Sequence, residues 1–150
     1  MNSQSYITHS EEEMVALGER IAHMLPRPAV ILLSGDLGAG KTTLTKGIVK
    51  GLGAAEPEEV SSPTFTLIHE YGDPTSVYHI DLYRLDQARE LATLGLDEIF
   101  DREAVVIVEW ADKFPQWMPS GHLAIHITDS GGQRTVTLSG IPLSPEGPQS

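Results

Sequence analysis

The run Gly35-Asp36-Leu37-Gly38-Ala39-Gly40-Lys41-Thr42 contains the residue types needed to hold a polyphosphate together with a divalent cation. It matches the P-loop pattern G-x-x-x-x-G-K-[ST] in full. Gly35, Gly38 and Gly40 carry no Cβ, so the backbone can turn with positive φ and approach phosphate oxygens closely. The loop amides, that of Ala39 included, then point inward as an anion nest. The helix that follows adds the positive end of its dipole. Lys41 presents a compact ammonium to the β- and γ-phosphates, and the Thr42 hydroxyl is the expected ligand of Mg²⁺. Thr43, one step further, either touches the α-phosphate or simply continues the helix. Asp36 reads as structural or solvated.

Such a loop needs an acid near the metal, typically at the end of a neighbouring strand. Val105-Val106-Ile107-Val108-Glu109 supplies one, so Glu109 is the candidate second metal ligand, against the alternative of an ordinary strand-end carboxylate. Asp81 is the other acid of interest. It sits in Tyr78-His79-Ile80-Asp81-Leu82, among apolar neighbours, where a charge is costly without a partner. It reads as an orienter of the attacking water, or of a metal-bound water, against the alternatives of a salt bridge to Arg84 or a strand-edge position. His79 reads as structural, and the six histidines show no metal-ligand spacing.

The elements that must position these residues are also visible. Tyr6 to Thr8 is extended. Ser10 and Glu13 have the spacing of a capping box, with Glu13 reaching back to the Ser10 amide. Met14, Leu17, Ile21 and Leu25 then recur at helical spacing until Pro26 and Pro28 intervene. Ala29 to Leu33 is a continuous apolar run, as in a strand buried on both faces. A helix from Lys41 should turn Leu44, Ile48 and Val49 inward and stop at Gly51.

Further along, Phe65–Tyr71 and Val77–Tyr83 suggest a hairpin through Gly72-Asp73-Pro74. Asp86 is positioned to cap a short helix carrying Leu91 and Leu94 and ended by Gly95. Leu123–Thr128 and Arg134–Leu138 flank a turn at Ser130-Gly131-Gly132. Strands alternating with helices, then late strand pairs, predict an α/β P-loop sandwich. Its mixed sheet should have a parallel centre and antiparallel edges, flanked by helices. Residues 1–140 form the expected domain, with a disordered Pro-, Ser- and Gly-rich tail over 141–150.

Bulk properties narrow the function. A net charge of −11, with ten Lys and Arg spread along the chain, argues against autonomous nucleic-acid binding, which relies on a basic face. Acidity alone also serves solubility. No apolar run approaches membrane-spanning length, and no secretory signal is visible. The absence of cysteine fits a reducing, cytoplasmic setting. The single asparagine, Asn2, excludes the Asn-Lys-x-Asp guanine-reading motif and favours adenine.

Three segments beyond the P-loop sharpen the reading. These are Ser61-Ser62-Pro63-Thr64-Phe65-Thr66-Leu67, His79-Ile80-Asp81-Leu82-Tyr83-Arg84-Leu85 and Glu109-Trp110. With the P-loop, and in this order and spacing, the chain from about Thr8 to Leu138 resembles the TsaE (formerly YjeE) family, bacterial ATPases of tRNA threonylcarbamoyladenosine formation. The resemblance implies ATP and Mg²⁺, the partner proteins TsaB and TsaD, and a role in modifying adenosine 37 of tRNAs that read codons starting with A. It further implies that Thr8 and Ser10 lie near the adenine with Arg134 beside it, and that Ser61–Phe65 is switch-like. Ser10 is equally explained as a helix cap, Arg134 as a surface charge and Ser61–Phe65 as a polar loop. Trp110 packs the nucleotide site, faces the partner or, as the plainer expectation for a tryptophan, fills the core.

The expected reaction is in-line attack of water on the γ-phosphate, with Lys41, Asp81 and Glu109 as the catalytic set. No arginine stands out as a finger in cis, which predicts slow turnover alone and faster turnover in complex. Two rival classes share the motif: a small-molecule or nucleoside kinase, which would normally carry an arginine-bearing lid, and a nucleotide-gated binding module in which occupancy is the signal.

Overall fold

The computed structural model describes residues 3–36, 40–63 and 66–140. Leu37, Gly38 and Ala39 of the P-loop, Thr64 and Phe65 of the switch-like segment, and the tail expected to be disordered lie outside the described residues.

The strands are β1 (Ser3–Thr8), β2 (Ala29–Gly35), β3 (Ile68–Tyr71), β4 (Val77–Asp81), β5 (Val105–Glu109), β6 (Leu123–Ser130) and β7 (Gln133–Gly140). They form one sheet in the order β1-β7-β6-β2-β5-β4-β3. The four central strands β6, β2, β5 and β4 run parallel, while β1, β7 and β3 join antiparallel at the two sides. The mixed sheet predicted from the sequence is therefore the observed one. Its β2 and β5 are apolar on both faces because both are covered.

The helices are α1 (Glu11–Met24), α2 (Lys41–Gly51), α3 (Ala88–Ala92) and α4 (Leu96–Phe100). One core joins Met14, Leu17 and Ile21 of α1 and Leu44 and Ile48 of α2 to Ile31, Leu33 and Ile107 of the sheet. A second core joins Leu91, Leu96 and Ile99 of α3 and α4 and Phe114 to Val30, Ile80, Val106 and Val108. Strand residues alternate between the two cores, as a pleated sheet requires. No helix among the described residues is long and apolar enough to cross a membrane.

Several local expectations are corrected. Ser10 caps α1 through its hydroxyl, which accepts from the Glu13 amide at 3.1 Å, but Glu13 reaches back to the His9 amide at 2.8 Å rather than that of Ser10. Gly51 is the last helical residue of α2, and the left-handed turn after it is made by Gly53, at φ +71°. The α3 cap is Gln87 rather than Asp86, whose amide donates to Glu90 alongside that of Gln87. Gly95 opens α4, a helix the sequence reading missed. Strand β3 starts only at Ile68, after a turn in which Leu67 takes φ +72°, and β4 ends at Asp81 rather than Tyr83.

The P-loop helix is held close against α1. A Cβ built on Gly47 would lie 2.1 Å from the Val15 carbonyl oxygen and 2.9 Å from the Gly18 Cα. Only two glycines facing each other allow this approach, and it fixes where the start of α2 stands over the sheet.

Candidate functional site

Strand register brings the acids together. Leu33 pairs with Glu109 across β2 and β5, and Glu109 pairs with Asp81 across β5 and β4. Both carboxylates thus reach one level at the carboxyl ends of parallel strands, the edge where open α/β sheets bind ligands. Glu109 shares its sheet face with Ile107, whose side chain belongs to the core beneath α1 and α2. Helix α2 starts above that edge at Lys41. Glu109 and Asp81 are each 3% exposed and Lys41 is 8% exposed.

Buried charges need partners, and these have them. Lys41 Nζ donates to the Gly35 carbonyl at 2.8 Å and lies 3.9 Å from Glu109 Oε1. The other carboxylate oxygen, Oε2, is 2.6 Å from His79 Nε2. An ionised carboxylate only accepts, so Nε2 carries the proton and donates it. Asp81 Oδ1 accepts from the Tyr83 amide at 2.9 Å. Sequence reasoning set His79 aside as structural. Its signal was the i, i+2 spacing from Asp81, which puts both on one face of β4.

Around this triad opens a cleft of about 400 Å³. Gly40, Lys41, Thr42 and Thr43 line it from the start of α2, and Asp81, Glu109 and Trp110 from the strand ends. Ser62 of the switch-like segment and Tyr83 also face it, as do Glu11 and Arg134. Glu11 carried no sequence signal, and Tyr83 was visible only as part of the His79–Leu85 segment. An adjoining cavity of about 190 Å³ is lined by Thr8, Ser10, Thr43 and Arg134, with Met14 and Gly132. Thr8 and Arg134 are register partners on β1 and β7, so one edge of the sheet delivers both. Gly35 meets the site through its carbonyl, while Gly38 and Ala39 lie outside the described residues. Gly40 has φ +109°, and a Cβ there would sit 2.7 Å from Arg134 Nη1, so the arginine overhangs the end of the loop.

Trp110 meets the core expectation in part: it packs against the second core and also lines the cleft. It is half-buried with φ +64°, a left-handed conformation that costs a non-glycine residue ~1–2 kcal/mol. That turn lays its ring with the centre 4.9 Å from Lys41 Nζ and 5.0 Å from the Tyr83 ring. Backbone strain of this kind concentrates at functional sites. The base of the switch-like segment is tied down as well. The Ser61 amide donates to Tyr71 Oη at 3.4 Å, and His69 Nδ1 is 3.1 Å from the Ser61 carbonyl. Burial pushes the Tyr71 phenol above its ordinary value, with the Ser61 amide working weakly the other way.

The donor set has a definite chemical character. The Thr42 hydroxyl and the Glu109 carboxylate are hard oxygen donors that line one cleft. Among the described residues, no cluster of three His, Cys, Asp or Glu could hold a metal unaided. Two protein oxygens at the start of α2 fit magnesium, an ion held through few protein groups and otherwise by water and phosphate oxygens.

Known proteins share this arrangement of chain. The family model "Threonylcarbamoyl adenosine biosynthesis protein TsaE" matches residues 8–136. The tRNA threonylcarbamoyladenosine biosynthesis protein TsaE of Bacillus subtilis (strain 168) is 40% identical over 143 residues, covering 94% of this chain and 88% of its own length. That of Haemophilus influenzae is 33% identical over 144 residues, covering 92% and 90%. The crystal structure of Bacillus subtilis YdiB superposes with a TM-score of 0.75 at 36% identity, covering 94% of this chain and 87% of that one.

Proposed function

The chain belongs to the TsaE family of threonylcarbamoyl adenosine biosynthesis, and from that premise we propose that it is a magnesium-dependent ATPase that acts with TsaB and TsaD in modifying adenosine 37 of tRNAs reading codons that start with A. The observation that carries the reading is the meeting of Lys41 and Glu109, 3.9 Å apart at the start of the P-loop helix, with Asp81 level on the next strand.

In this reading the loop amides and Lys41 hold the β- and γ-phosphates of ATP. Thr42 and Glu109 would hold magnesium, which neutralises charge on the phosphate oxygens when bound. Asp81, braced by the Tyr83 amide, accepts a hydrogen bond from the attacking water and aligns it with the γ-phosphorus. Thr43 and Arg134 flank the path from the phosphates to the side cavity, where Thr8 and Ser10 would border the adenine. Gly38 and Ala39 contribute amides to the nest. The acidic surface suits a protein that leaves the tRNA to its partners.

The test is ATP hydrolysis by the purified chain, alone and with TsaB and TsaD, using γ-labelled ATP and a Lys41→Ala control. The expected result is slow release of free phosphate that rises at least about tenfold with the partners and disappears in the control; an arginine finger supplied in trans can contribute ~10³–10⁵-fold. Equal rates with and without partners, or label appearing on a metabolite rather than as phosphate, would overturn it.

A further inference from the structure

His79 is completely buried on the α1–α2 face of β4, with its Nε2–H on Glu109 Oε2 at 2.6 Å. Its other ring nitrogen, Nδ1, has no hydrogen-bond partner among the described residues. Purely as filler this is a poor choice. Val77 and Ile107 occupy the same face beside it, and an aliphatic side chain would fill the space without leaving a buried nitrogen unpartnered. The register also sets His79 opposite Ile107 rather than Glu109, so the ring leans toward the strand end to make this contact.

We propose that His79 is a positioning residue that fixes the rotation of the Glu109 carboxylate, keeping Oε1 toward Lys41 and the cleft. This rests on the reading of Glu109 as a magnesium ligand. The carboxylate is gripped from two elements. Strand β4 supplies the Nε2–H to one oxygen, and helix α2 brings the Lys41 ammonium to within 3.9 Å of the other. Removing the first grip leaves the carboxylate free to rotate about its Cγ–Cδ bond, so that neither oxygen keeps a fixed direction. Hydrogen bonds behind a metal-ligating side chain orient it, and losing one costs about 10- to 100-fold in metal affinity or activity. A residue that acts on the ligand and not on the phosphates should move metal affinity while leaving nucleotide affinity alone.

The experiment compares the wild-type protein with His79→Leu and His79→Gln. Leu fills the space without a donor; the Gln amide nitrogen reaches the place of the imidazole Nε2. Mn²⁺ uptake is followed by electron paramagnetic resonance on the ADP-saturated protein, and ADP affinity is measured by calorimetry in EDTA. For His79→Leu, half-saturation with Mn²⁺ is expected to rise about tenfold or more, with ADP affinity in EDTA changed less than about twofold; His79→Gln should recover most of the loss. Unchanged Mn²⁺ uptake in His79→Leu, or His79→Gln behaving no better than it, would overturn the proposal.

Nitrogen-15 NMR of the wild-type imidazoles keeps the test decisive if neither variant folds. The His79 proton must lie on Nε2, and finding it on Nδ1 would overturn the proposal. If the wild-type protein with ADP takes up no Mn²⁺ at all, the magnesium-ligand reading of Glu109 fails, and the inference with it. That outcome is told apart from the others because it appears before any substitution is made.

Discussion

Asp81 and Glu109 are register partners on adjacent parallel strands, yet their carboxylates are held by different kinds of donor. Asp81 is braced by a backbone amide two residues on, that of Tyr83, whereas Glu109 is gripped by a buried imidazole and faces an ammonium. The Tyr83 amide fixes one Asp81 oxygen from two residues further along the chain. The ammonium ties Glu109 to the phosphate-binding end of α2. One pair of strands thus sets two acids in two different surroundings.

Substitutions should separate the roles proposed for them. Asp81→Asn retains the shape and the capacity to accept from the Tyr83 amide, so ATP affinity should stay within about threefold while single-turnover hydrolysis falls about 10²–10⁴-fold, the usual range for a positioned proton acceptor. Glu109→Ala should instead abolish magnesium-dependent hydrolysis. It should also lower unfolding free energy by ~1–3 kcal/mol, since the buried His79 donor loses its acceptor. Rapid-quench kinetics, calorimetric titration and urea denaturation of the two variants check both halves.

Trp110 lies over Lys41, so its emission should report occupation of the cleft. Addition of ATP with magnesium is expected to change the fluorescence of a Trp117→Phe protein, in which Trp110 is the only tryptophan left, and to leave a Trp110→Phe protein unresponsive. Trp110→Ala should weaken ATP binding by ~0.5–1 kcal/mol, the usual worth of a cation–π contact at a partly open site. Fluorescence and calorimetric titrations give the two readouts.

The base of the Ser61–Ser62 segment carries a pH dependence of defined sign. Burial raises the Tyr71 phenol above the ordinary value of about 10, so the unfolded chain loses this proton first. Between the unfolded and folded values the native state binds more protons, and stability therefore falls as pH rises. Below pH ~10 the contribution is fully present. Urea midpoints taken from pH 8 to 11 should fall more steeply for the wild type than for Tyr71→Phe, and equal slopes would remove Tyr71 from the account.

Much of this was legible in the chain because the signals are local. The apolar runs of β2 and β5, the loop between β2 and α2 and the Gly131-Gly132 turn between β6 and β7 each specify themselves within about ten residues. What escaped depends on distance. His79 finds Glu109 across 30 positions of sequence, and only the β4–β5 register makes them neighbours. Thr8 meets Arg134 only because β1 returns to pair with β7 at the far side of the sheet, a proximity that the family resemblance implied and no local pattern could show. Gly95 was misread because a glycine at φ +71° serves equally to end one helix or to begin the next, and α4 offers too few apolar positions to show a period.

The contact between α1 and α2 gives the strongest stability prediction, because two rules oppose each other there. In an exposed helix, Gly→Ala stabilises by ~1 kcal/mol. At Gly47 the added methyl would sit 2.1 Å from the Val15 carbonyl oxygen, which is backbone and cannot rotate away. Overpacking of this kind costs ~1–3 kcal/mol and occasionally more, so Gly47→Ala should destabilise by at least about 2 kcal/mol despite its better helix propensity. Relief comes only by moving α2 off α1, which also shifts Lys41 relative to Glu109. Nucleotide affinity should therefore fall together with the urea midpoint, although Gly47 does not line the cleft. On the same helix, Lys50→Ala removes only the half-exposed ion pair to Glu19 of α1 at 3.6 Å, so it should cost no more than ~1 kcal/mol and leave nucleotide affinity within error. A Gly47→Ala protein that gains stability, or loses it with unchanged ATP affinity, would separate the helix contact from the site.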